Sequence, residues 1–187
     1  FVPNEHVFLN GELGFGSKFG SMIGRIQRPA STACKSASIQ LMAGAAALAT
    51  ESNGLDWRKV PHITAKIVEI LSLASQCYGA AIGASTLATQ HPSGIFVPDE
   101  VMANSAKLLQ ADAFSKAARL LNEVAGGLIG AMPSERDLKN PETREYMLKY
   151  LQGNPDWSVE DRMRIMRACE YLYGGSSTLP VCSVHTG

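Results

Sequence analysis

Apolar residues recur every three or four positions through most of this chain, the period of an amphipathic helix, and almost nowhere alternate as a strand would. Pro29 suits a first helical position, and the chain from there to about Ser52 reads as one helix. Its stripe is Ala33, Ala37, Gln40, Leu41, Gly44, Ala45 and Leu48, small enough for another backbone to approach closely. A shorter helix is expected before it, from near Ser17 to Arg28, because a proline biases the preceding residue away from helical angles. Pro61 to about Thr89 carries Ile63, Ile67, Ile70, Leu71, Ala74, Tyr78, Ala81 and Ile82 at helical spacing, and His91-Pro92-Ser93-Gly94 breaks it. The next helix starts near Pro98 with Asp99 and Glu100 in its first turn, and Gly126-Gly127 ends it. Its inner face is Met102, Ala106, Leu109, Ala113, Ala117, Leu120 and Val124.

Toward the end, Ser134…Asp137 and Ser158…Asp161 each set a hydroxyl three residues before an acid, a helix-start signature. They predict short helices from about Ser134 and Pro141 and a last long one over 158–173, striped by Val159, Met163, Met166, Cys169 and Tyr173. Val7-Phe8-Leu9, closed by Asn10-Gly11, is the one short strand-like run. The sum is an all-α chain, a four-helix up-down bundle with short extra helices. Residues 1–16 read as a linker or the end of a preceding β domain, and 17–187 as the bundle domain. The chain opens on Phe1 and stops at Gly187 in mid-pattern, so both ends read as boundaries inside a longer protein.

Composition narrows the partners. Basic and acidic residues number 17 each, so nothing draws the chain to nucleic acid or to an anionic membrane. Only 18% of residues are charged, which suggests apolar surface covered by a partner. Cys34, Cys77, Cys169 and Cys182 are widely spaced with no CxxC pair, so free thiols in a reducing cytoplasm are expected. No signal peptide or membrane span is read.

Local chemistry is sparse. Cys34-Lys35 sits near the expected start of the first long helix. There a helix amino terminus and a neighbouring ammonium favour a reactive thiol or metal ligand, although free cysteines are more often inert core residues. His6, His62, His91 and His185 show no HxxxH or HExxH spacing. The glycine pairs 126–127 and 174–175 are helix ends whose free N–H groups can also hold phosphate. No nucleotide-binding glycine motif is present.

Several segments together resemble the dehydratase branch of the 4-hydroxyphenylacetate 3-hydroxylase family. They are Phe1 to Glu12, Glu51-Ser52-Asn53-Gly54 with His62 to Glu69, Val124 to Leu128 with Met132-Pro133-Ser134-Glu135, and Glu160 to Arg167. The resemblance implies the carboxy-terminal bundle of an acyl-CoA dehydrogenase-type fold, a homotetramer, FAD, and an acyl-CoA or phenolic substrate. It implies flavin contacts at Gln27, Arg28, Gly126 and Gly127, and an electrostatic role for Lys35 beside substrate or flavin. In the dehydratase branch a [4Fe–4S] cluster takes one histidine and one cysteine from this region. Cys34 stands at the cysteine position, but Gln27 stands where the histidine belongs. Ser31 replaces a tyrosine and Cys182 an acid. A glutamine amide takes up no proton near neutral pH and is a poor iron ligand, which argues against the cluster and against the unaltered dehydratase reaction. Glu123 occupies a position where acyl-CoA dehydrogenases commonly carry glutamine.

Overall fold

The computed structural model describes residues 1–175, and the expectations placed on Cys182 and His185 lie outside them. Helices dominate: α1 Leu13–Ser52, α2 Pro61–Thr86, α3 Glu100–Ala125, α4 Leu128–Ala131, α5 Glu135–Lys139, α6 Pro141–Tyr150 and α7 Val159–Gly174. A two-residue hairpin, β1 Thr89–Gln90 with β2 Phe96–Val97, joins α2 to α3. The all-α expectation holds, and the chain divides into two compact units, Phe1–Cys34 with Cys77–Gln110, and Lys35–Gln76 with the chain from Ala111 on.

Three readings change. The expected break at Pro29 is absent: α1 runs unbroken through it and begins at Leu13, not Ser17. Pro29 is buried, and its missing N–H costs one ladder bond that forty residues of helix absorb. Val7-Phe8-Leu9 forms no strand: a 3-10 turn over Asn4–His6 precedes it, and Leu9 is left-handed at φ 57°. The third change is the buried face of α1. Thr32, Lys35, Ser36, Ile39, Met42, Ala43, Ala46 and Ala49 point inward, while of the expected stripe only Ala45 is buried. The run Leu41-Met42-Ala43-Gly44-Ala45-Ala46-Ala47-Leu48 is apolar all round, so periodicity alone does not choose a face.

In the first unit, β1 and β2 turn about His91–Gly94, where Gly94 sits at φ 91° and donates to His91 O at 2.8 Å. Asp99 Oδ1 accepts from Met102 N at 2.8 Å and starts α3. Arg25 reaches Pro98 O through both Nε (3.0 Å) and Nη2 (2.8 Å).

The second unit carries the larger core. Ile39, Met42 and Ala46 of α1, Ile67 and Ile70 of α2, Phe114, Ala117 and Leu121 of α3, and Val159, Met163, Met166 and Cys169 of α7 fill it. Lys66 pairs with Glu123 at 2.7 Å and Lys116 pairs with Glu69, so the charges of α2 and α3 meet across the helices. By length and composition α2 could also cross a membrane, but these charged rungs belong to helix-on-helix packing. Both predicted helix starts form. Ser134 Oγ and Asp137 make a reciprocal capping box, and Ser158 Oγ accepts from Asp161 N at 3.0 Å.

Candidate functional site

Within about two turns, α1 carries four of the residues singled out by sequence: Gln27, Arg28, Cys34 and Lys35. Gln27 and Cys34 are seven residues apart, on one side of the helix, and both are exposed. Because α1 begins at Leu13, Cys34 lies deep in a continuous helix, and the expected help from a helix amino terminus does not reach it. Arg28 Nη1 donates to Asn104 Oδ1, which ties the guanidinium to α3.

The most informative group is Lys35. It is 8% exposed, and Nζ has no hydrogen-bond partner among the described residues. Ser31 Oγ and Thr32 Oγ1, on the same turn, are buried and equally unpartnered, and Thr32 is 0% exposed. Three orphaned donors on one turn of a well-packed helix contravene the rule that buried polar groups find partners. Water, another subunit or a ligand can supply the missing acceptors. The sequence marked Ser31 and Lys35 but passed over Thr32. Its signal was a hydroxyl three residues before Lys35, on the same face.

Gly126 and Gly127 close α3. Gly126 is left-handed at φ 67° and donates to Asn122 O at 2.9 Å, whereas Gly127 keeps right-handed helical angles and starts α4. A Cβ at either position would meet open space, so the backbone there is accessible to a ligand. Glu123, three residues before the pair, is held by Lys66 and by Arg119 (2.7 Å each). The Lys66 hydrogen bond, with Arg119 behind it, keeps its carboxyl below the ordinary range.

The thiols divide by environment. Burial pushes Cys77 up and Cys169 up to about 11, marking both as inert core thiols. Among the described residues no three His, Cys, Asp or Glu side chains gather as a metal cage. His91 is taken up locally by Ser93, at 2.9 Å from its hydroxyl. Cys34 is an exposed free thiol on α1.

A family model described as 4-hydroxyphenylacetate 3-hydroxylase C terminal (HpaB) matches residues 18–185. The chain belongs to this family. Among curated relatives, 4-hydroxybutyryl-CoA dehydratase/vinylacetyl-CoA-Δ-isomerase of Clostridium aminobutyricum is 29% identical over 187 residues, covering 96% of this chain and 38% of that protein. The 4-hydroxyphenylacetate 3-monooxygenase oxygenase component of Thermus thermophilus is 30% identical over 155 residues, covering 81% of this chain and 31% of that protein. A solved structure of an oxygen-tolerant archaeal 4-hydroxybutyryl-CoA dehydratase from N. maritimus superposes with a TM-score of 0.89 at 32% identity, over 97% of this chain and 36% of the other. The HpaB-family chain thus spans little more than a third of the length of these enzymes. Its all-α bundle is their shared carboxy-terminal fold.

Proposed function

We propose that this HpaB-family chain is the carboxy-terminal bundle domain, over residues 17–187, of a cytoplasmic FAD-dependent enzyme that acts on an acyl-CoA by dehydration or double-bond isomerisation. Residues 1–16 would link it to a preceding β domain. The observation that carries the reading is Lys35, a buried amine without a partner on the Ser31–Lys35 turn. Such a donor suits the thioester carbonyl of a bound acyl-CoA, or a flavin oxygen, where negative charge develops during proton removal. Thr32 Oγ1 supplies a second donor on the same turn.

FAD, when bound, would supply the electron-accepting ring, and the chain's residues fit such a group. In the second unit Gly126 and Gly127 would leave backbone open to such a group; Gln27 and Arg28, in the first unit, are candidates on the family resemblance alone. Lys35 would orient the substrate and stabilise charge. The chain offers no histidine beside Cys34 to take the substrate proton, so that base would come from elsewhere in the enzyme. Because the chain spans little more than a third of its relatives' length, we expect it to be inactive by itself. The test is Lys35→Ala in the full-length parent enzyme: kcat should fall at least a hundredfold with flavin content unchanged. Unchanged kcat would remove Lys35 from the mechanism.

A second reading has its own support. Gln27, standing where the dehydratase branch has its histidine ligand, favours a cluster-free enzyme, as in a monooxygenase that hydroxylates a phenol with reduced FAD and oxygen. Iron and flavin analysis of the parent, purified without oxygen, separates the two. About four irons per chain would make Cys34 a [4Fe–4S] ligand and favour the dehydratase. Flavin without iron would favour the hydroxylase.

Self-association, as a tetramer, belongs to both readings. On the second unit an apolar groove runs between α1 and α7, from Leu41 and Leu48 to Ile165, Ala168 and Leu172. Leu41, Gly44, Ala45 and Leu48 of the small-residue stripe line it, with Leu41 63% exposed. Light scattering at micromolar concentration should give a mass above one chain, and Leu41→Glu should lower it.

A further inference from the structure

In the first unit two arginines stand one turn apart on α1, and each is held by a neutral oxygen at or near the start of α3. Arg25 donates to Pro98 O through Nε at 3.0 Å and Nη2 at 2.8 Å, and Arg28 Nη1 donates to Asn104 Oδ1. Neither arginine has a carboxylate partner among the described residues. Arg25 closes its fork on a main-chain carbonyl and so pins the entry of α3 to α1. The guanidinium of Arg28 is held by one hydrogen bond, which leaves four of its five N–H donors without a partner.

Two residues fix where that guanidinium lies. The first is Gly24, one turn earlier on α1. A Cβ there would lie 3.3 Å from Arg28 Cζ and 3.5 Å from Nη1, so the fork folds back along the helix over a bare Cα. Gly24 sits inside a continuous helix, where alanine is the better helix former. The second is Asn104, exposed on the second turn of α3. Its amide oxygen accepts as a carboxylate would, yet brings no charge to cancel the guanidinium. For stability alone, alanine at 24 and aspartate at 104 are the stronger choices. Alanine would displace the cation and aspartate would neutralise it.

We propose that Gly24 and Asn104 are positioning residues that aim an uncancelled Arg28 guanidinium at an oxygen of the bound flavin. The inference rests on the reading of Arg28 as a flavin contact, and adds which residues place it and why they are uncharged. A planar guanidinium held at one edge offers its other edge to an oxygen acceptor, and the fixed pose lowers the entropy lost on binding.

The experiment measures two quantities for each variant of the full-length parent enzyme. One is the dissociation constant of FAD from the apoenzyme, by quenching of flavin fluorescence. The other is the unfolding temperature of the same apoenzyme. Arg28→Leu should weaken FAD binding about tenfold, the scale of one charge-assisted hydrogen bond. Asn104→Asp should weaken it about as much, because the new carboxylate pairs with Arg28, and should keep or raise the unfolding temperature. Gly24→Ala should weaken it about threefold while raising the unfolding temperature. If Arg28→Leu leaves the FAD affinity unchanged, Arg28 is no flavin contact and the inference falls with that reading. If Arg28→Leu weakens FAD but Asn104→Asp binds it as the unaltered enzyme does, the hydrogen bond is structural and this inference alone is overturned. Weakened binding with a lowered unfolding temperature in both Asn104→Asp and Gly24→Ala would overturn it too, since damage to the fold then accounts for the loss.

Discussion

Helix α1 buries polar groups in two places and treats them in opposite ways. At its carboxy-terminal end they are tied. Asn154 N donates to Ser52 O at 2.9 Å and Asn154 Nδ2 to Glu51 O at 3.1 Å. Arg162 spans Leu151 O (2.5 Å) and Asn53 Oδ1 (2.6 Å), leaving only Nε without a partner. Trp57 Nε1 reaches Glu51 at 3.1 Å. In the middle of the same helix, Ser31 Oγ, Thr32 Oγ1 and Lys35 Nζ are buried with no such ties. The first group holds the α1–α2 and α6–α7 connections together. The second is a cost in stability that water, another subunit or a ligand can offset. The orphaned turn, more than the well-bonded knot, is where function is to be sought.

The sharpest way to break this contrast is at the knot. A Cβ on Gly153 would lie 2.2 Å from Ser52 O, a backbone atom that cannot swing away. Gly153→Ala should therefore destabilise the chain by about 4 kcal/mol in urea unfolding, above the usual range for overpacking because backbone must move. Arg162→Leu removes two hydrogen bonds from a charged group and should cost about 3 kcal/mol by the same measurement. Lys35 should behave in the opposite sense. Lys35→Met removes an orphaned buried amine and should stabilise the isolated chain by about 1–2 kcal/mol, while the same change should inactivate the parent enzyme. If Lys35→Met destabilises the chain, the turn is structural and the contrast fails.

Smaller effects sharpen the picture. Ser158→Ala removes the cap of α7 and should cost about 1 kcal/mol in thermal unfolding. Asp161 and Asp137 are held below their ordinary value of 3.8, first by hydrogen bonds from Ser158 and Ser134. Their contribution is complete above that value and lost as pH falls below it, so Ser158→Ala should flatten the acid limb of a stability–pH curve. Cys169 gives the opposite slope. Its thiol titrates near 11 when folded against 9.0 ordinarily, so folding loses stability as pH rises from about 9 to 11. Cys169→Ala should remove that alkaline loss.

The sequence was informative wherever one residue type permits a single local geometry. Ser134…Asp137 and Ser158…Asp161 cap as read, Gly126 takes the left-handed angle a helix end needs, and α7 buries Val159, Met163, Met166 and Cys169 as their spacing predicts, although Tyr173 of the same stripe is exposed. It misled where two answers share one pattern. Pro29 can start a helix or sit inside one, and only the burial of its ring shows which. The stretch around Leu41–Leu48 can bury either of two faces, and tertiary packing, not periodicity, selects Met42 and Ala46 over Leu41 and Leu48. The orphaning of Thr32 and Lys35 was also out of reach, because a missing partner is a property of neighbours distant in sequence. By itself, then, the chain's sequence determined its helices, their caps and its family. The tertiary structure alone decided which face of α1 is inside, which oxygen holds Arg28 and which buried amine has no partner, because each depends on contacts between residues far apart along the chain.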